Sequence, residues 1–168
     1  VLDYSKSSFT VDENTGEAEI MMTAMGQGNT LVSPYHMALI TSAVANGGTL
    51  MRPYLVDKVT NHTGNEISKN VPKSYKKLMT SDEAAQLKEY MRAVVEEGTG
   101  MDLNYGSYTV AGKTGTAEYS SDKNKDHSWF IGMSNVDDPD LVVSVVIEAA
   151  DGNAKAVNVA REVFDAYY

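Results

Sequence analysis

A lysine, two threonines and two glycines lie close together in the stretch VAGKTGTAE, residues 110–118. The ammonium of Lys113 favours the anion of a nearby serine or tyrosine and attracts a substrate carboxylate. Gly115 has no side chain, so a ligand can approach the backbone closely. These residue types suit two kinds of site: a loop that binds nucleotide phosphates, or a strand against which an acyl substrate lies. A solvent-exposed turn with an ordinary surface lysine also fits the bare Lys-Thr-Gly triplet.

A nucleotide-binding loop requires glycine, four intervening residues, and then glycine, lysine and serine or threonine. Gly112, Lys113 and Thr114 supply the second half, but the position of the first glycine is occupied by Ser107. Such a loop also lies between a strand and a helix, whose N-terminus meets the phosphate. Here turn-like residues follow and lead to another apolar run, so the sequence disfavours a nucleotide site.

Three segments in the last third of the chain predict strands: SYTVAGKTGTAE, SWFIGMSNV and LVVSVVIEAA. The polar links at 120–127 and 137–140 are too short for a helical crossover, so we expect an antiparallel meander. The apolar run at 141–147 predicts a strand covered on both faces.

Alternation along the first of these strands places Lys113 and Gly115 on one face, and Thr114 and Thr116 on the other. An edge position or a bulge is therefore needed if Lys113 and the Thr116 hydroxyl are to serve one pocket.

Four segments predict helices that would pack around these strands: EAEIMMTAMGQG, SPYHMALITSAVANGG, TSDEAAQLKEYMRAVVEEG and NAKAVNVAREVFDAYY. Ser33 is the expected N-cap of the second, with Pro34 at its first position. Thr80 and Glu83 form a capping box for the third. The fourth has an apolar stripe expected to pack on the sheet, formed by Ala156, Val159, Ala160, Val163 and Tyr167.

The segment MRPYLVDKVTNHTGNEIS predicts a hairpin near a sheet edge. Pro53 is expected at the start of a strand, and Thr63 and Gly64 at the turn. Helices and an antiparallel sheet together indicate an α+β fold.

Composition disfavours several functional classes. The net charge of −9 argues against binding to nucleic acid or to an anionic membrane surface. Because the chain has no cysteine, it has no disulfide and no thiolate metal site. His36, His62 and His127 are far apart and lack a metal-ligand spacing, so we expect no metal and no cofactor.

Four segments, in order, resemble the transpeptidase domain of class B penicillin-binding proteins over nearly the whole chain. They are AMGQGNTLVSPYHMALITSAVANGGTLMRPYLV, MRAVVEEGTG, VAGKTGTAE and HSWFIGM. Lys-Thr-Gly is part of the signature of penicillin-binding proteins and serine β-lactamases. The resemblance implies the C-terminal portion of this α+β fold, with a three-stranded antiparallel segment packed with helices.

The resemblance also implies roles for the Lys-Thr-Gly strand, which forms one wall of the family's catalytic cleft. Lys113 is implied as the catalytic cleft lysine. Thr116 is implied to hold the substrate or β-lactam carboxylate through its hydroxyl, and to supply half of the oxyanion hole through its N–H. Thr114 and Gly115 complete the substrate-binding strand, to whose edge the peptide would add by backbone hydrogen bonds.

The family's nucleophile, the serine of Ser-x-x-Lys, and its Ser-x-Asn motif are expected before the Gly-Gln-Gly stretch. The matches at Ser74–Lys77 and Ser120–Lys123, and SKN at 68–70, lie in the wrong context or order. We therefore expect residues 1–168 to be the C-terminal part of the domain, without the N-terminal part that carries the nucleophile. Such a chain is not expected to be acylated by itself.

The resemblance implies that the parent protein cross-links peptidoglycan stem peptides through a serine acyl-enzyme and binds β-lactams. A noncatalytic interaction module, a D,D-carboxypeptidase and a β-lactamase relative stay open, although the Thr-Ala-Glu continuation favours transpeptidases. The implied location is extracytoplasmic, with a membrane anchor in an N-terminal helix outside this chain. Apolar surface that the missing part of the domain should cover predicts self-association of this chain.

Overall fold

The computed structural model describes residues 5–122 and 124–168. Its helices are α1 (Glu17–Ala24), α2 (Pro34–Ala45), α3 (Ser81–Glu96) and α4 (Ala156–Tyr167). Its strands are β1 (Thr49–Met51), β2 (Lys58–Thr60), β3 (Glu66–Lys69), β4 (Ser74–Lys77), β5 (Val110–Glu118), β6 (Asp126–Ser134) and β7 (Leu141–Ile147). None of the helices in this described part is both long and apolar enough to cross a membrane.

The predicted antiparallel meander is confirmed. β5, β6 and β7 form one sheet in that order, and β5 lies at its edge. Helix α4 packs on one face of the sheet, where Val143 joins the core, and α2 packs on the other face, where Val142 does so. β7 therefore has a helix on both faces, as its apolar sequence predicts.

Phe130 lies at the centre of the α4 side of the sheet and is fully buried. Its ring has room only because two facing positions, one on β5 and one on β6, are occupied by glycine. A Cβ at Gly112 would lie 2.3 Å from Phe130 Cζ, and a Cβ at Gly132 would lie 2.7 Å from Phe130 Cε1. Gly112 and Gly132 are cross-strand partners, so together they make room for the ring.

The predicted inner stripe of α4 is partly wrong. Val159, Val163 and Tyr167 are 40%, 42% and 55% exposed. The buried residues of this helix are Ala156, Val157, Ala160 and Phe164. The helix has apolar residues on two overlapping faces, and burial of the largest of them, Phe164, in the cluster of Phe130 determines which face meets the sheet.

Two short antiparallel ribbons, β1–β4 and β2–β3, lie between α2 and α3. The predicted turn at Thr63 and Gly64 is confirmed, since Asn61 Oδ1 accepts from the N–H of Thr63 and Gly64 has φ +85°. Pro53 does not start a strand. It lies two residues after the end of β1, directly after the backbone hydrogen bond from Arg52 N to Lys73 O, and proline has no N–H to donate to a ladder.

Neither chance match to Ser-x-x-Lys gains support. Ser74 and Lys77 lie on the exposed strand β4, where residues three apart point to opposite faces. Lys123, in the other match, lies outside the described residues.

The predicted helix starts are confirmed. Ser33 Oγ accepts the N–H of His36 at 3.2 Å, with Pro34 as the first residue of α2. Thr80 and Glu83 form both hydrogen bonds of the capping box of α3. The bonds from the backbone and hydroxyl of Thr80 also lower the pKa of the Glu83 carboxyl.

Candidate active site

A cleft of about 490 Å³ lies beside the edge strand β5. The four residues predicted from the sequence all line it: Lys113, Thr114, Gly115 and Thr116. Neighbouring elements close it: β6 through Trp129 and Ile131, α2 through Met37, the loop after α1 through Met25 and Gly26, and the loop after α3 through Thr99.

The position of β5 at the sheet edge explains how both of its faces can serve one cleft. Lys113 and Gly115 pair with Ile131 and Trp129 on the face of the sheet that carries α2. Thr114 and Thr116 point to the opposite face by alternation. The pairing of β5 with β6 is unbroken from end to end, so there is no bulge in this ladder. Of the two predicted arrangements, the structure has the edge position.

Every second residue of β5 turns its backbone N–H and C=O away from β6. At the two ends of the ladder, the odd-numbered Thr109 and Tyr119 bond across to Asn135 and Lys125, so even-numbered residues face the free edge. Thr114 and Thr116 are therefore the residues whose backbone groups are presented to the cleft. An exposed edge of this kind is a template for another strand.

Side-chain donors occupy three of these outward carbonyls. Arg92 Nη1 donates to Val110 O at 2.8 Å, Lys113 Nζ to Thr114 O at 2.7 Å, and Gln27 Nε2 to Thr116 O at 3.0 Å. The contact of Arg92 also ties α3 to the start of β5. The contacts of Lys113 and Gln27 lie in the part of the edge that faces the cleft.

Thr99 is a site residue that the sequence argument did not identify. Its Oγ1 lies 2.5 Å from Thr114 Oγ1. The tight loop after α3 brings it there: Gly98 N and Gly100 N both bond to Val94 O, and a Cβ at Gly98 would lie 2.9 Å from that oxygen. A threonine between two glycines at a helix end was the available signal, but the sequence alone did not show that it contacts β5.

Gln27 was also missed, although its Gly-Gln-Gly stretch carried part of the resemblance. α1 ends in a Schellman motif, in which Gly26 N bonds to Thr23 O and Gln27 N to Met22 O. Gly26 and Gly28 have φ of +82° and +75°, which favours glycine at both positions. This turn places the Gln27 side chain on β5, 89 residues further along the chain.

Two of the three histidines, His36 and His127, make local contacts and do not line the cleft. His127 Nδ1 accepts the N–H of Ala149 at 2.9 Å, and its ring stacks on Tyr119. Nearby, the hydrogen bond from Lys125 lowers the pKa of the Asp151 carboxyl. His36 contacts the Ser7 hydroxyl. Over the described residues, no group of three histidines or acidic residues is placed to hold a metal ion.

The family model described as penicillin binding protein transpeptidase domain matches residues 2–167. Stage V sporulation protein D of Bacillus subtilis is 36% identical over 144 residues, which are 83% of this chain and 22% of that protein. Peptidoglycan D,D-transpeptidase MrdA of Acinetobacter baumannii is 29% identical over 99 residues, or 51% of this chain and 15% of that protein. This chain thus spans less than a quarter of the length of either relative.

Solved structures show the same fold. The imipenem acyl-enzyme complex of penicillin-binding protein A from M. tuberculosis has a TM-score of 0.84 and 30% identity, covering 99% of this chain and 37% of that one. Penicillin-binding protein 2B from Streptococcus pneumoniae has a TM-score of 0.80 over 98% of this chain and 29% of that one, at 23% identity, and so supports the fold alone.

Proposed function

Because the chain belongs to the penicillin-binding protein transpeptidase family, we propose that it forms one wall of the active site of a peptidoglycan D,D-transpeptidase. The observation that carries this proposal is the free edge of β5, which presents Lys113 and Thr116 to one cleft. Relatives that are named peptidoglycan D,D-transpeptidases, and structural neighbours solved as β-lactam acyl-enzymes, support it. The proposed location is outside the cytoplasmic membrane, with an anchoring helix elsewhere in the parent protein.

In the proposed reaction, a serine hydroxyl attacks the carbonyl of a D-alanyl peptide, the terminal residue leaves, and an amine of a second stem peptide takes the acyl group. Lys113 supplies positive charge for the serine and for the substrate carboxylate. The Thr116 hydroxyl holds that carboxylate, and its outward N–H stabilises the oxyanion of the tetrahedral intermediate. Thr114 and Gly115 contribute the strand edge to which the peptide adds.

The nucleophile is proposed to lie in another part of the parent protein. Within the described residues, the cleft lining contains threonines but no serine. The same observation fits the second candidate function, a noncatalytic module that keeps the cleft for binding alone.

Labelled penicillin separates these two functions. We expect the complete protein to gain one acyl adduct, measured by intact mass, and the chain of residues 1–168 to gain none, because acyl transfer needs an activated nucleophile. An adduct on the isolated chain would show that it carries its own nucleophile. A complete protein without an adduct would favour the noncatalytic module.

Self-association of the isolated chain is a separate prediction. Phe9, Met21, Met25 and Leu31 are 67–70% exposed, and α1 has no buried residue. Large exposed apolar surface favours association in water. We expect light scattering to report a dimer or a domain-swapped form at high concentration, with a mass about twice that of the single chain. A clean monomer at the same concentration would contradict the prediction.

A further inference from the structure

We propose that the Gln27 side chain is a latch on the free edge of β5, and that it withdraws when an extended peptide or a β-lactam docks there. The latch is defined as the hydrogen bond from Gln27 Nε2 to Thr116 O, at 3.0 Å. The inference rests on the proposed function, since it concerns access to the same edge.

The bond occupies an acceptor that strand addition requires. An extended peptide pairs with a strand edge through the outward N–H and C=O groups of alternate residues, here Thr114 and Thr116. A glutamine amide presents the same kind of N–H donor as a peptide bond. Gln27 therefore satisfies the Thr116 carbonyl while no peptide is bound, and a peptide N–H must replace it.

The backbone beneath the latch is held independently of the side chain. The Schellman motif fixes the Gln27 N–H on Met22 O, and the Glu19 carboxylate accepts the N–H of Asn29 at 2.8 Å. That carboxylate also packs against Gly28, where a Cβ would lie 2.6 Å from Glu19 Oε1. Rotation of side-chain torsions is thus enough to release Thr116, and the loop need not unfold.

Lys113 makes the neighbouring contact on the same edge. Its Nζ donates to Thr114 O, the outward carbonyl two residues before Thr116. An incoming peptide therefore meets two consecutive acceptors that are already satisfied by side chains. When a neutral hydrogen bond forms within a protein, it replaces hydrogen bonds to water, so its net stabilisation is small. The latch can therefore hold the edge closed and still open on binding.

The test uses Gln27→Met in the complete protein. Methionine keeps the length and lack of charge of glutamine but has no N–H donor. The matched control is Gln86→Met, the same change at an exposed position of α3. We expect the second-order rate of acylation by labelled penicillin to rise about two- to tenfold in Gln27→Met relative to Gln86→Met. An equal or lower rate would overturn the latch.

NMR of ¹⁵N-glutamine-labelled protein provides the second measurement. The side-chain amide signal of Gln27 is the one that disappears in Gln27→Met. In the free protein we expect it to exchange with solvent more slowly than the Gln86 amide, and to become similar to it after acylation. A Gln27 signal that acylation leaves unchanged would overturn the proposal. A third outcome is that no variant is acylated although the Gln27 amide of the free protein exchanges slowly with solvent. The proposed function would then be wrong, and the latch would be wrong as well because no ligand docks at the edge.

Discussion

Replacement of Lys113 by methionine in the complete protein is expected to slow acylation by labelled penicillin by about a hundredfold or more. The side chain lines the cleft, and its Nζ already lies on the strand edge, 2.7 Å from Thr114 O. Removing the ammonium removes the positive charge proposed to favour the serine anion and to attract the substrate carboxylate. The measurement is the second-order acylation rate, followed by the fluorescence of bound penicillin.

The control for this prediction must also remove one positive charge, but at a position away from the cleft. Both variants then make the net charge of −9 more negative by the same amount. Lys69→Met, on the exposed strand β3, makes the same chemical change away from the cleft. We expect this variant to be acylated at a rate within about twofold of that of the unmodified protein, because salt screens the long-range effects of exposed charges. Similar rates for Lys113→Met and Lys69→Met would remove Lys113 from the proposed machinery.

The parts of the fold that local patterns determine were predictable from the sequence. The caps at Ser33 and Thr80 depend on residues three apart, and short polar links between apolar runs leave an antiparallel meander as the simple solution. The buried face of α4 was not predictable in this way, because the helix has two apolar stripes and either of them could meet the sheet. Burial of Phe164 decided this, and helical periodicity could not show it.

The candidate site also combines features that local sequence patterns predict with contacts that they do not predict. The sequence placed Lys113 and Thr116 on opposite faces of one strand and required either a bulge or an edge, and the structure has the edge. The contacts of Gln27 and Thr99 with that edge join residues distant in sequence, which no local pattern specifies. Glycines on either side of each residue allow the tight turns that bring them there.

Replacement of Gly112 by alanine is expected to destabilise the chain by about 3 kcal/mol, because the new methyl group would overlap a buried ring. Its Cβ would lie 2.3 Å from Phe130 Cζ and 2.8 Å from Ile131 O. The ring is fully buried and the β5–β6 ladder holds both backbones, so neither neighbour can move away cheaply. The free energy of unfolding in urea measures the effect.

Gly115→Ala is the matched control, since it makes the same change on the same strand. There the Cβ would lie 3.2 Å from Trp129 Cβ, on the open cleft face, and we expect the free energy of unfolding to fall by less than about 1 kcal/mol.

A second test asks whether the Phe130 ring causes the destabilisation by Gly112→Ala. Phe130→Leu removes the overlapping atoms, so Gly112→Ala should cost less in that background, with a coupling energy of about 1–3 kcal/mol. Equal stability of the two glycine variants, or additive effects in the cycle, would show that Phe130 does not require Gly112. Because Lys113 follows Gly112 directly, the same tight packing holds β5 in its register with β6.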